Sequence, residues 1–260
     1  MTGLQAVVFD WAGTMIDFGS RAPVVALLKL FESAGVPISE AEARADMGLA
    51  KRDHIRAIMA QPRVAAAWAQ AFGAAPGEAD GDALFARITA LMQEAARECA
   101  DLIPGAADLV ASLRAQGVRI GSCTGYTREM MADILPVAAA QGYAPDVVVC
   151  AGETAAGRPS PLMLWKNMVD LGVWPASAVV KVDDAAVGIA EGRAAGCWTV
   201  GVAASGNSVG LTAAALAALP AAERDARIAA ARADLMAAGA HVVIDTVADL
   251  PGVLGQFVYG

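Results

Sequence analysis

Asp10 ends the apolar run Ala6-Val7-Val8-Phe9 and is followed by the small-residue turn Ala12-Gly13-Thr14. A carboxylate at the carboxyl end of a buried strand lies where open α/β sheets place their ligands. Three further stretches stand at or just after apolar runs: Ser122-Cys123-Thr124-Gly125, Gly157-Arg158-Pro159 and Lys181-Val182-Asp183-Asp184. If the strand ends converge, Thr124 and Gly125 supply a hydroxyl and free amides for an oxyanion. Arg158 then offers a fork for phosphate, and Asp184 a second carboxylate for a cation. A carboxylate nucleophile beside a phosphate cradle and a Mg²⁺-binding pair makes a phosphoryl-transfer site.

Positioning such side chains requires a sheet, and the pattern of the chain supplies one. From Pro104-Gly105 onward, helix and strand alternate. Helical spacing covers 106–116, 127–141, 161–171 and 187–195, and apolar strands fall at 118–122, 146–150, 178–182 and 198–202. This alternation predicts an α/β fold, a doubly wound parallel sheet with right-handed crossovers, to which the strand at Asp10 belongs. An Ala-rich helix over 211–238 and an edge strand over 241–245 complete it. Between residues 20 and 100 only helical periodicity occurs: 21–34, a capping box at Ser39 and Glu42, 50–59, 63–72 and 82–99. The expected division is a core of 1–19 and 101–260 carrying an inserted α-helical cap domain of 20–100.

Composition excludes several classes. Hydrophobic residues make up 57% of the 260, ample for a core, but no apolar stretch reaches about 18 residues, so no membrane span is expected. The chain starts on strand-like sequence without signal-peptide features, which predicts a cytoplasmic protein. Net charge is −8 and no basic cluster runs longer than Lys51-Arg52, arguing against nucleic acid as a partner. Cys99, Cys123, Cys150 and Cys197 are scattered singly, suggesting neither a zinc site nor disulfides. Any lysine in the chemistry is Lys29, Lys51, Lys166 or Lys181.

With these motifs in place the chain resembles the haloacid dehalogenase superfamily of aspartyl-phosphate enzymes. Within it, five stretches in order resemble the phosphonoacetaldehyde hydrolase (phosphonatase) family: DWAGTMID at 10–17, MGLAKRDHIRAIM at 47–59, GSCTGYTREMM at 121–131, AGRPSP at 156–161 and KVDD at 181–184. The resemblance implies a Rossmann-like core, Mg²⁺ held by Asp10, Asp184 and the backbone carbonyl of Ala12, and a phosphonate oriented by Thr124, Gly125 and Arg158. It also implies that Asp10 attacks phosphorus while Lys51 holds the aldehyde as an imine. His54, three residues after Lys51 on the same helix face, relays protons, and Met47 and Tyr126 line the site. The expected products are acetaldehyde and phosphate, in breakdown of 2-aminoethylphosphonate, and the expected assembly is a homodimer. The apolar helix with Val24, Val25, Leu27, Leu28, Leu30 and Phe31 fits such an interface.

Two features sharpen that expectation. Phosphatases of the superfamily carry a second Asp two residues after the nucleophile to protonate a departing alcohol; here the residue is Ala12. Expelling carbon instead demands an electron sink, and a neutral lysine condensed with an adjacent aldehyde provides one; burial, with Arg52 or the metal nearby, lowers its pKa. Departures also exist: Gly188 stands where many members place an Asp four residues after Asp184, and Ser160 and Leu162 replace aromatic residues of some phosphonatases. The alternatives are a phosphatase or phosphomutase acting on a phosphate ester, against which Ala12 argues, and a catalytically silent phosphate sensor.

Overall fold

The computed structural model describes residues 3–259. Strand β1 (Ala6–Phe9) is followed by five helices with no strand of the sheet among them: α1 (Arg21–Ser33), α2 (Glu40–Arg44), α3 (Lys51–Ala60), α4 (Pro62–Phe72) and α5 (Glu78–Cys99). The alternating part runs α6 (Ala106–Ala115), β2 (Arg119–Thr124), α7 (Arg128–Met131), α8 (Ile134–Ala140), β3 (Val147–Cys150) and α9 (Leu162–Leu171). It continues with β4 (Val179–Asp183), α10 (Ala186–Ala195), β5 (Trp198–Val202), α11 (Ala213–Ala218), α12 (Ala221–Ala237), β6 (Val242–Ile244) and α13 (Pro251–Leu254).

The sheet is parallel, in the order β3-β2-β1-β4-β5-β6. The chain leaves β1 toward β2 and returns to β4 on its other side, so β1 and β4 form the switch point where helices diverge and a crevice opens. Asp10, Asp183 and Asp184 all stand there. Every residue of β1 is buried: Val7 and Phe9 point into one core, Ala6 and Val8 into another with Met163, Leu164 and Leu171 of α9. Burial on both faces is why the strand reads as an unbroken apolar run.

Two predicted helices are broken. The expected helix over 127–141 divides into α7 and α8, because Pro136 has no N–H to offer the carbonyl four residues back, at Ala132. The Ala-rich tail divides at Leu219-Pro220 for the related reason that the residue before a proline is driven out of the helical region. The capping box forms as expected, with Ser39 Oγ accepting from Glu42 N at 3.2 Å and Glu42 Oε2 accepting from Ser39 N at 2.7 Å. In α1, Val24, Leu27, Leu30 and Phe31 are buried, and Val25 and Leu28 are half-buried on the same core. The helix's apolar surplus is thus largely covered within the subunit. No helix among the described residues is long and apolar enough to cross a membrane.

Candidate active site

The turn after β1 places Asp10 against the ends of β2 and β4. Gly13 adopts φ +82°, and a Cβ there would stand 2.2 Å from Asp184 Oδ2, so only glycine lets the turn approach that carboxylate. Asp184 is held from two sides: Thr14 Oγ1 donates to Oδ1 at 3.1 Å and the Asn207 N–H donates to Oδ2 at 2.8 Å. Oxygens of Asp10, Asp183 and Asp184 lie within 4.8 Å of one another, all buried. Burial, with the neighbouring carboxylates, pushes Asp184 well above the usual range, and burial also raises Asp10 against the pull of Arg158. Four buried carboxylates, Asp10, Asp183, Asp184 and Glu191, thus crowd the strand ends. A hard divalent cation fits such an all-oxygen donor set. Haloacid dehalogenase-like hydrolases generally use Mg²⁺.

Gly188 does not leave a gap. A Cβ there would fall 1.9 Å from Asp183 Oδ2, so the Asp183 carboxylate occupies the space that a side chain at 188 would take. Lys181 at 2.9 Å and Arg158 at 3.5 Å hold Asp183 below its usual pKa despite its burial. Restoring an aspartate with Gly188→Asp should therefore destabilise the protein, by about 2–3 kcal/mol as for overpacking elsewhere, and should not tighten metal binding. Thermal denaturation checks this, and a stable variant binding Mg²⁺ more tightly would contradict it.

Arg158 is fully committed on one side and open on the other. Its Nη2 lies 2.8 Å from Asp10 Oδ1 and donates to the Cys123 carbonyl at 2.6 Å, while Nε donates to Glu191 Oε2 at 3.1 Å. Nη1 is buried without a hydrogen-bond partner among the described residues, and Arg158 lines the cavity. A donor left unsatisfied in a buried cleft is costly unless an anion meets it. Thr124 Oγ1 already accepts from the Tyr126 N–H at 3.1 Å, leaving its own proton to donate. Gly125 passes so near the segment between α2 and α3 that a Cβ would lie 2.5 Å from the Leu49 carbonyl oxygen.

Lys51 opens α3 and is 2% exposed, its Nζ 5.3 Å from the centre of the Tyr126 ring. Burial brings its pKa down to about 8, with Asp10 opposing and Arg158 assisting. The assisting cation is thus Arg158. Arg52, expected in that role, turns outward to Asp82 at 3.3 Å and over the Phe85 ring at 5.0 Å.

A narrow cavity of about 20 Å³ gathers Asp10, Ala12, Met47, Lys51, Thr124, Gly125, Tyr126, Arg158 and Asp184, together with Ser20, Pro23, Gly48 and Ala185. His54 is absent from that lining. It is buried one turn along α3 with Nε2 2.8 Å from the Ala45 carbonyl, an arrangement that puts the proton on Nε2, and burial with the nearby Lys51 drops its pKa to about 3. Lys181 salt-bridges Asp183 and Glu191 and makes no approach to the cavity. Glu191, the tether of Arg158, escaped notice in the sequence; its only signal was a charge at helical spacing with Gly188, Ile189, Gly192 and Ala195, the buried face of α10.

A family model for haloacid dehalogenase-like hydrolases matches residues 4–196. The chain is 52% identical to a phosphonoacetaldehyde hydrolase of Paraburkholderia phytofirmans over 250 residues, covering 96% of this chain and 94% of the relative. This chain belongs to the phosphonoacetaldehyde hydrolase family of haloacid dehalogenase-like hydrolases. Its fold matches a phosphonoacetaldehyde hydrolase-like protein from Oleispira antarctica with a TM-score of 0.96 at 42% identity, covering 98% of this chain and 92% of that one. A β-phosphoglucomutase from Clostridium difficile, at TM-score 0.66 and 17% identity over 95% of this chain and 93% of that one, shares the fold. Membership in this hydrolase family makes the protein an enzyme.

Proposed function

We propose that this hydrolase splits the P–C bond of phosphonoacetaldehyde, giving acetaldehyde and phosphate, in phosphonate catabolism. The observation that carries the reading is a buried lysine of lowered pKa in one cavity with Asp10, where Ala12 leaves no acid for an alcohol leaving group. The Lys51 amine condenses with the aldehyde, releasing water. Asp10 then attacks phosphorus, and the P–C electron pair moves into the iminium to give an enamine. Protonation at carbon and hydrolysis of the imine return that water and free acetaldehyde; a second water releases phosphate from Asp10. Arg158 Nη1 and the Thr124 hydroxyl orient the phosphonate oxygens, and neutral His54, with its lone pair on Nδ1, relays protons behind Lys51. Asp10, Asp184 and the Ala12 carbonyl would hold Mg²⁺, with Asp183 filling out the carboxylate set. Bound there, the ion would offset repulsion between the anionic nucleophile and the anionic phosphonate.

The insertion of residues 20–100 acts as a cap that opens to admit substrate and closes to exclude water. The working assembly is a homodimer and the working location the cytoplasm, on family resemblance. Assaying both products from phosphonoacetaldehyde, with Mg²⁺ and with chelator, tests the reading. Equal yields that vanish with chelator are expected, and hydrolysis of p-nitrophenyl phosphate without acetaldehyde would overturn it.

The pH dependence has a definite sign. Only the neutral amine condenses, so a Lys51 pKa near 8 leaves about one-tenth of it reactive at pH 7 and about half at pH 8. Trapping of the imine by cyanoborohydride should rise about tenfold from pH 6 to 7 and level off above pH 8. A rate still climbing tenfold per unit at pH 9 would mean an unperturbed lysine.

A further inference from the structure

We infer that Arg44, on α2 of the insertion, is a positioning residue for Asp184, acting through the loop after β5; the inference rests on Asp184 being a metal-binding carboxylate. The Asn207 N–H is one of two protein donors to Asp184 in the hydrogen bonds described above, so the placing of this loop sets the aim of the carboxylate. The loop touches it directly as well: a Cβ on Gly206 would lie 2.8 Å from Asp184 Cβ. Ser205 Oγ donates to the Gly13 carbonyl at 2.8 Å, which joins the same loop to the turn that carries Asp10.

Arg44 pins the far side of that loop. Nη1 reaches Asn207 Oδ1 at 3.1 Å and the Asn207 carbonyl at 3.3 Å, Nη2 donates to the Gly210 carbonyl at 3.0 Å, and Asn207 Nδ2 donates back to the Arg44 carbonyl at 3.3 Å. Gly210, at φ +69°, lies so close that a Cβ would stand 2.8 Å from Arg44 Cζ. Glu40 Oε1 takes Nε at 3.0 Å and Nη2 at 2.8 Å, which fixes the plane of the fork. The same Nη1 faces the carbonyls of Gly19 at 3.0 Å and Ser20 at 3.4 Å, in the segment joining the Asp10 turn to α1. One planar side chain thus ties the insertion, its connecting segment and the Asp184 loop together, which the point charge of a lysine could not do. A shift of the insertion at this corner is felt at Asp184.

Mn²⁺ binding without substrate, followed by the paramagnetic resonance of the free ion, tests the inference. Outer-shell partners of metal ligands are typically worth about 10–100-fold in affinity. Arg44→Met should weaken Mn²⁺ binding by that order, and Asn207→Ala by several-fold. The double variant should lose no more than Arg44→Met alone, because both act through one contact. Arg63→Met breaks a pair with Glu42 of the same helix and should leave Mn²⁺ affinity unchanged, which separates positioning from general loosening of α2. Wild-type affinity in Arg44→Met, or a loss no larger than in Arg63→Met, overturns the inference. If Arg44→Met does not fold, Asn207→Ala decides by the same measure. A wild type that binds no Mn²⁺ removes the metal reading and the inference together. If the wild type binds Mn²⁺ but releases no acetaldehyde, only the substrate assignment fails, and the variants still decide on Arg44.

Discussion

Arginine at position 51 should lower the release of acetaldehyde and phosphate from phosphonoacetaldehyde by about 10⁴-fold or more, with the fold retained. The substitution keeps a long cation in a buried site beside Asp10 and the Tyr126 ring, so electrostatic binding of the phosphonate survives. What it removes is the neutral amine. A guanidinium stays protonated at any working pH, whereas Lys51 is brought down to about 8 by its burial. Without an imine the P–C electron pair has no acceptor, and the loss corresponds to about 5 kcal/mol or more of transition-state stabilisation. Assay of both products, with mass spectrometry of the cyanoborohydride-reduced protein, checks it: wild type gains a Lys51 adduct and the variant gains none. Acetaldehyde release within tenfold of wild type would show that the lysine serves only as a charge. Hydrolysis of p-nitrophenyl phosphate that persists in the variant, with no acetaldehyde from either form, would move the enzyme to the phosphatases.

Much of the core was legible because its determinants are local. A strand buried on both faces must be apolar, and its last residue must emerge at the sheet's carboxyl edge, so Ala6 to Asp10 could be read directly. Helix interruptions were less legible, since the helical periodicity continues through Ala132-Asp133 and across Pro220 although the helical backbone does not. At the site, Asp10, Thr124 and Asp184 were accessible as strand-end residues and Arg158 from the loop that follows an apolar strand, but Lys51 was accessible only through resemblance. Its burial depends on helices whose packing no local pattern specifies. Glu191 and Arg44 show the same limit. Each matters through partners far along the chain, Arg158 and Lys181 for one and Asn207 and Gly210 for the other. Arg52 shows the converse error: sequence adjacency to Lys51 suggested influence, yet consecutive helical residues diverge by about 100° and its charge points away.

Replacing Asp10 by asparagine should separate the two halves of the reaction. The amide keeps the shape of the side chain, and its oxygen can still accept from Arg158, now 2.8 Å from Asp10 Oδ1. It is too weak a nucleophile to attack phosphorus, so phosphate release should fall by about 10⁴–10⁶-fold, the range over which loss of a covalent nucleophile is felt. Condensation at Lys51 needs no contribution from Asp10 and should continue. Reduction should therefore capture a Lys51 adduct still bearing its phosphonate, where the wild type gives the lighter adduct left after P–C cleavage. The pH dependence should shift as well. The Asp10 charge is the main influence raising the Lys51 pKa against burial, so removing it leaves more neutral amine at a given pH and extends trapping to lower pH. Three coupled outcomes are then expected from one carboxylate: phosphate release lost, a heavier adduct gained, and its pH profile moved toward acid. Phosphate release within tenfold of wild type would assign the attack on phosphorus to water or another group. A lost adduct in a folded Asp10→Asn would mean that the carboxylate is needed before the imine forms, which the order of steps proposed above does not allow.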